Sequence, residues 1–111
     1  MSEKQEQQAI VQLLRSVGAE VYVLGHPRRR GDHPGTGQTP GLADLEAYVP
    51  HYARTTWTLV KIEVKTPTGR LSEAQQTYRF QCLRAGVAYV CGGLDAVLEY
   101  LEGRGLVKRS A

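Results

Sequence analysis

Apolar residues recur at helical spacing early in the chain. Ala9, Ile10, Leu13, Leu14 and Val17 fall on one stripe within residues 3–17, and Gly18 follows as a stop. Ser2 with Gln5 has the pattern of a capping box, so this helix can begin almost where the chain does. Residues 20–24 (Glu-Val-Tyr-Val-Leu) read as a strand and residues 43–49 as a second. A third runs from Trp57 to Lys65. Successive side chains on a strand point to opposite faces, so Val60, Ile62 and Val64 take one face while Trp57, Leu59, Lys61, Glu63 and Lys65 take the other. The first face is core. The second carries charge, and with Trp57 and Leu59 at one end it is not expected to be simply solvated. Residues 52–55 turn the hairpin between the second and third strands, marked by Pro50 rather than by an Asn-Gly pair.

Thr66-Pro67-Thr68-Gly69 stops the third strand, and Ser72 opens a second helix that runs to about Leu83 before Gly86. Leu71, Ala74, Tyr78 and Cys82 share a face of that helix. Phe80 and Leu83 lie away from it, a second apolar surface that either meets a partner or packs under the last helix. Val87 to Cys91 predict a short buried strand, Gly92-Gly93 a turn, and Asp95 to about Glu102 a last helix with Leu94, Val97, Leu98 and Leu101 on one side. Residues 104–111 read as a loosely held basic end. The predicted order is α-β-β-β-α-β-α in one domain spanning residues 1–111.

A chain of 111 residues is long enough to bury roughly 65% of its unfolded surface without a disulfide or a metal. Cys82 and Cys91 sit among apolar neighbours, which predicts two reduced, packed thiols. His26, His33 and His51 show no ligand spacing with them, which argues against a zinc site. No apolar stretch approaches the roughly 18 residues of a membrane span, and Met-Ser-Glu-Lys-Gln-Glu is not a secretory leader, so a cytoplasmic protein without a membrane partner is expected.

A formal net charge of +3 is too mild to specify nucleic acid by itself. Its distribution says more. Arg28, Arg29 and Arg30 are consecutive inside residues 26–41, a stretch with four glycines and three prolines that forms no regular element. Such a triplet is ordinarily a solvated loop. Beside a phosphate-cutting site it becomes a set of phosphate contacts, joined by Arg70, that position a nucleic acid without reading its sequence.

Three residues make such a site thinkable. Asp44 ends Pro40-Gly41-Leu42-Ala43-Asp44, and Glu63-Val64-Lys65 ends the third strand. A lone Glu-x-Lys is most often a charge pair on an exposed strand. With Asp44 it becomes two carboxylates for a divalent cation plus an ammonium to orient water and offset charge on a phosphorane, which phosphodiester hydrolysis requires.

That order of elements, with Asp at the second strand and Glu-x-Lys on the third, resembles the PD-(D/E)xK nuclease superfamily. Within it the chain is similar to the VRR-NUC family, the virus-type replication and repair nuclease domain. The residues that carry the resemblance are Glu3 with Gln7, Ile10 and Leu14; Pro40-Gly41-Leu42-Ala43-Asp44-Leu45; Ile62-Glu63-Val64-Lys65-Thr66-Pro67; and Gly69-Arg70-Leu71-Ser72-Glu73-Ala74-Gln75. It covers residues 3 to about 101. It implies an α/β, restriction-endonuclease-like core with a mixed central sheet flanked by helices. It implies that Asp44, Glu63 and the Val64 carbonyl bind Mg²⁺ or Mn²⁺, that Lys65 orients the water, and that Gln75 and Glu3 complete the catalytic set. It further implies a DNA endonuclease acting on branched DNA, junctions or flaps, by shape and as a homodimer. No helix-turn-helix, zinc finger or basic recognition helix stands in the sequence to read a major groove.

The alternatives are a sequence-specific restriction-type or RNA endonuclease and a catalytically silent nucleic-acid-binding module; the complete Asp44, Glu63, Lys65 set speaks against silence. Ala43 stands where many members have proline, and the loop from His26 to Thr39 is longer than in the smallest members. Two assignments have a second reading. Gln75 occupies the third position of a capping box with Ser72, so it either caps its own helix or serves the site. At about 100° per residue, Glu3 and Glu6 lie equally far, on opposite sides, from the centre of the first helix's apolar stripe, and the family match alone favours Glu3.

Overall fold

A computed structural model describes residues 1–24, 39–51 and 55–108. Its elements are α1 (Glu3–Ser16), β1 (Glu20–Val23), β2 (Leu45–Pro50), β3 (Trp57–Val64), α2 (Glu73–Arg84), β4 (Ala88–Gly92) and α3 (Leu94–Gly103), in the order the sequence predicts. They form one mixed four-stranded sheet, β1-β2-β3-β4. The β1–β2 and β2–β3 pairs are antiparallel and β3–β4 is parallel, with α2 as the crossover that a parallel pair requires.

The alternation read from β3 decides the layers. Val60, Ile62 and Val64 join Leu45, Ala47 and Val49 of β2 on one face, where Ile10 and Leu14 of α1 and Val97 and Leu101 of α3 cover them. Burying each of these larger side chains contributes roughly 1.5–3 kcal/mol, so this face carries most of the stability. On the opposite face α2 lies over β4, its Tyr78 ring meeting Tyr89 at 6.4 Å, and Cys82 is buried. Among the described residues that face stays open at Tyr22 of β1 and Trp57 of β3. Trp57 is 49% exposed and Tyr22 52%, so the apolar end of the charged face is open to solvent rather than packed.

Several expectations are corrected. The second strand begins at Leu45, not at residue 43, and the third ends at Val64, so Asp44 and Lys65 flank the paired segments. Cys91 is exposed rather than packed, because alternation on β4 turns it away from the helices that cover Ala88 and Val90. The fourth strand, a sheet edge, is only partly buried. Phe80 and Leu83 do not pack under α3; they are 59% and 51% exposed. Residues 104–107 are not loosely held. Arg104 donates to Thr58 Oγ1 at 2.8 Å and to His51 Nε2 at 2.9 Å, while Leu106 and Val107 pack against the core. The Arg28–Arg30 triplet and most of the expected turn at 52–55 lie outside the described residues.

Among the described residues no helix is long and apolar enough to cross a membrane.

Candidate active site

The β2–β3 register builds the site. On the face opposite the core it sets Tyr48 beside Leu59 and Glu46 beside Lys61. One step beyond the final pair, Leu45–Ile62, the same ladder brings Asp44 opposite Glu63. Asp44 is fixed from both sides: its Oδ2 accepts from the Val64 N–H at 2.8 Å, and its carbonyl accepts from the Leu24 N–H at 2.9 Å. The segment leading to it rests on α2. Gly41 adopts a φ of +90°, and a Cβ there would stand 2.5 Å from the Ala74 carbonyl oxygen, so the close approach requires glycine.

Glu63 is 2% exposed, and its Oε1 has no hydrogen-bond partner among the described residues. Burial first, and the Asp44 carboxyl beside it second, push its pKa up to about 8; Lys65 pulls it down and Glu3 adds to the rise. Two adjacent carboxyls, one buried and partly unbonded, resist ionising together. A shared proton relieves that conflict, and so does a cation.

Lys65 follows directly. Its N–H donates to the Gly92 carbonyl at 3.0 Å, which continues the parallel ladder past the end of β3. Its side chain borders a cleft of 310 Å³ together with Glu6, Pro67, Cys91 and Gly93. On β4, Tyr89 stands beside Lys61 and Cys91 beside Glu63. The Tyr89 hydroxyl is buried without a partner among the described residues, and burial, then the Glu63 charge, push its pKa upward. These two neighbours were missed in the sequence. Their signal was the alternation of Ala88 and Val90 with Tyr89 and Cys91, unreadable without knowing that β4 pairs in parallel with β3.

The remaining residues are less closely drawn in. Glu3 is exposed in the first turn of α1 yet within electrostatic reach of Glu63. Glu6, its rival, accepts a hydrogen bond from the Leu94 N–H at 2.7 Å instead. Gln75 completes the capping box: Ser72 Oγ accepts from the Gln75 N–H at 3.1 Å, and Gln75 Oε1 accepts from the Ser72 N–H at 2.8 Å. Its amide nitrogen alone is left for other work. Arg70 is exposed in the segment between Lys65 and α2.

No group of three or more His, Cys, Asp or Glu side chains gathers as a metal cluster among the described residues. Two carboxylates and a backbone carbonyl are nevertheless a suitable donor set for Mg²⁺, which is typically held by one or two carboxylates and keeps several waters. The unbonded Glu63 Oε1 supplies an acceptor for it.

No family model matches the chain, and no curated protein matches it either. A solved structure described as a VRR_NUC domain is similar, with a TM-score of 0.67 at 19% sequence identity, covering 90% of this chain and 94% of that one. The chain has that fold, with the predicted order of elements and the mixed α/β core that the resemblance implied.

Proposed function

We propose that this chain is a metal-dependent DNA endonuclease that hydrolyses phosphodiester bonds and selects branched DNA. The observation that carries the reading is the carboxyl pair: Glu63, buried, with one oxygen unbonded, beside Asp44 at the end of the β2–β3 ladder. The likeness to a VRR_NUC domain supports a nuclease on this core. Asp44 and Glu63 hold the divalent ion, Mg²⁺ or Mn²⁺, with the Val64 carbonyl available beside them. When bound, that ion polarises the phosphoryl oxygens and lowers the pKa of an attacking water.

The protein's own groups then have separable tasks. Val64 N–H fixes the Asp44 carboxylate, so one donor is held before any ion arrives. Lys65 brings an ammonium next to the pair, orienting the water and offsetting charge on the phosphorane. Glu3 adds negative charge near Glu63, and the amide nitrogen of Gln75, which the capping box does not use, donates to a phosphate. Arg70, and the Arg28–Arg30 triplet, supply backbone contacts without base readout. The exposed Phe80 and Leu83 are the apolar surface offered to a second copy in a homodimer.

The test is cleavage of junction, flap, duplex and single-stranded DNA, plus RNA, with and without Mg²⁺. Mg²⁺-dependent cutting of junctions or flaps above linear duplex is expected, and it should vanish in Asp44→Ala. Cutting confined to one duplex sequence, or to RNA, would replace the branched-DNA reading with a restriction-type or RNA endonuclease. DNA binding with no cleavage in either ion would make this a silent binding module.

A further inference from the structure

We infer that Glu6 is a positioning residue for Lys65, acting from α1 through the Gly92-Gly93 turn. The first N–H groups of a helix have no partner within it and need acceptors from elsewhere. α1 and α2 meet that need locally, each with a Ser-x-x-Gln capping box. α3 cannot, because its N-cap is Gly93 and makes no side-chain cap. The acceptor comes instead from the other end of the chain: Glu6 Oε2 takes the Leu94 N–H at 2.7 Å. A carboxylate there also meets the positive end of the α3 dipole.

The turn is shaped around that carboxylate. A Cβ at Gly93 would stand 2.7 Å from Glu6 Oε2, although the Gly93 backbone, at φ −105°, is extended and open to any residue. Glycine at 93 therefore leaves the Glu6 carboxylate its place rather than supplying a special conformation, and a side chain there would push the flexible end of Glu6 aside. Gly92 differs, with a φ of +145° and a would-be Cβ 2.8 Å from Ala96 Cβ. Its carbonyl is the acceptor for the Lys65 N–H at 3.0 Å. A continuous path results, from the Glu6 carboxylate to Leu94 N–H, through Gly93 to the Gly92 carbonyl, and on to the backbone of Lys65. Glu6 and Lys65 also border the same cleft. The acidic pair of α1 thus divides: Glu3 is among the charges acting on Glu63, while Glu6 holds the turn that seats the lysine.

The role given to Lys65 is the one proposed above, so the experiment reads the link in two ways, one of which needs no cleavage. Glu6→Ala and Glu6→Gln are compared with the parent by amide hydrogen exchange, Mg²⁺ calorimetry and turnover on junction DNA. In Glu6→Ala, exchange at Leu94 and Lys65 should quicken about tenfold, the scale of losing one helix cap, with exchange in the middle of α1 unchanged. The kcat should fall by about the same factor, while KM and Mg²⁺ affinity stay within about twofold of the parent. Glu6→Gln keeps an acceptor oxygen and should restore both readouts.

Unchanged exchange at Lys65 in Glu6→Ala overturns the link. So does a Gln variant no better than Ala, which would make the charge itself the requirement. A fall in Mg²⁺ affinity alongside turnover would make Glu6 part of the carboxylate site, and the positioning role would be wrong. If the parent cleaves nothing, the hydrolytic reading fails and the exchange data alone decide the link.

Discussion

Glu46 and Glu63 occupy the same face of the same β2–β3 ladder, yet their electrostatics are opposite. Glu46 stands across from Lys61 and bonds to it; that hydrogen bond, against some burial, holds the Glu46 carboxyl below its usual range. Glu63, two residues along β3 from Lys61, is buried and has Asp44 as its neighbour, and first the burial, then Asp44, raise its pKa to about 8. The two sites lie on one ladder, so the difference comes from how deeply each glutamate is buried and from which side chain the register delivers opposite it. A carboxylate facing an ammonium is finished as it stands. A carboxylate facing a carboxyl, with one oxygen unbonded, is finished only by a further positive charge.

The largest test of this contrast is neutralisation of each glutamate. Glu63→Gln should abolish Mg²⁺ binding seen by calorimetry and reduce cleavage by about a thousandfold or more, the scale of removing a group that fixes the metal. It should also leave the metal-free protein at least as stable above pH 8, since it removes a buried repulsion. Equal Mg²⁺ affinity in the parent and Glu63→Gln would remove the site. A marked loss of stability at that pH would show that Glu63 has a partner after all.

The pH dependence should separate the two acids next. The folded pKa of Glu63, about 8, lies above its usual 4.5, so across that window the native state holds a proton that the unfolded chain has lost. Stability of the metal-free protein therefore falls as pH rises from about 4.5 to about 8, by up to about 1.4 kcal/mol per pH unit, and levels off above. Glu46 works in the opposite sense: its contribution is present above about 4.5 and disappears as pH falls through its lowered folded value. Urea unfolding from pH 3 to 8.5, with and without saturating Mg²⁺, reads this out. The ion should flatten the descending slope, because it takes the place of the proton. Metal-free stability that climbs steadily from pH 5 to 8 would contradict the buried carboxyl pair.

Lys65 sharpens the contrast from the positive side. Lys61 neutralises Glu46 permanently, whereas Lys65 lies close enough to lower the Glu63 pKa without cancelling the effect of burial and Asp44. Its ammonium should therefore be spent on the reaction. Lys65→Ala is expected to lower kcat about a hundredfold, the scale of one general acid-base or charge-stabilising group, with junction affinity nearly unchanged. Parallel losses in affinity and rate would make Lys65 a phosphate contact instead.

What the chain disclosed beforehand follows from distance along it. Alternation placed Glu63 and Lys65 opposite the core because strand periodicity is local, and both Ser-x-x-Gln capping boxes were readable for the same reason. The Asp44–Glu63 neighbourhood needed the β2–β3 register, which no short motif encodes, and was reached by family resemblance. Cys91 was misread because alternation puts it on the face opposite the main core, a side that the apolar run Val87 to Cys91 does not disclose. The bond from Leu94 to Glu6 spans 88 positions, so helical periodicity had no means of separating Glu6 from Glu3. The hold of Arg104 on Thr58 and His51 was equally hidden, and a basic tail proved to be an anchored one.

The smallest effect is expected at the finished pair. Glu46 and Lys61 are partly buried, with side chains 20% and 16% exposed, and partly buried cross-strand ion pairs contribute about 1 kcal/mol or less. Glu46→Gln should then cost that amount in urea unfolding at pH 7 and leave Mg²⁺ affinity and cleavage as they were. Such a result, a loss of stability that leaves the chemistry silent, would show that a shared strand face does not confer a shared role. A loss of cleavage in Glu46→Gln out of proportion to its stability would extend the site along β3 to Lys61. The ladder would then be one charged surface, and the division between a structural and a reactive end would be wrong.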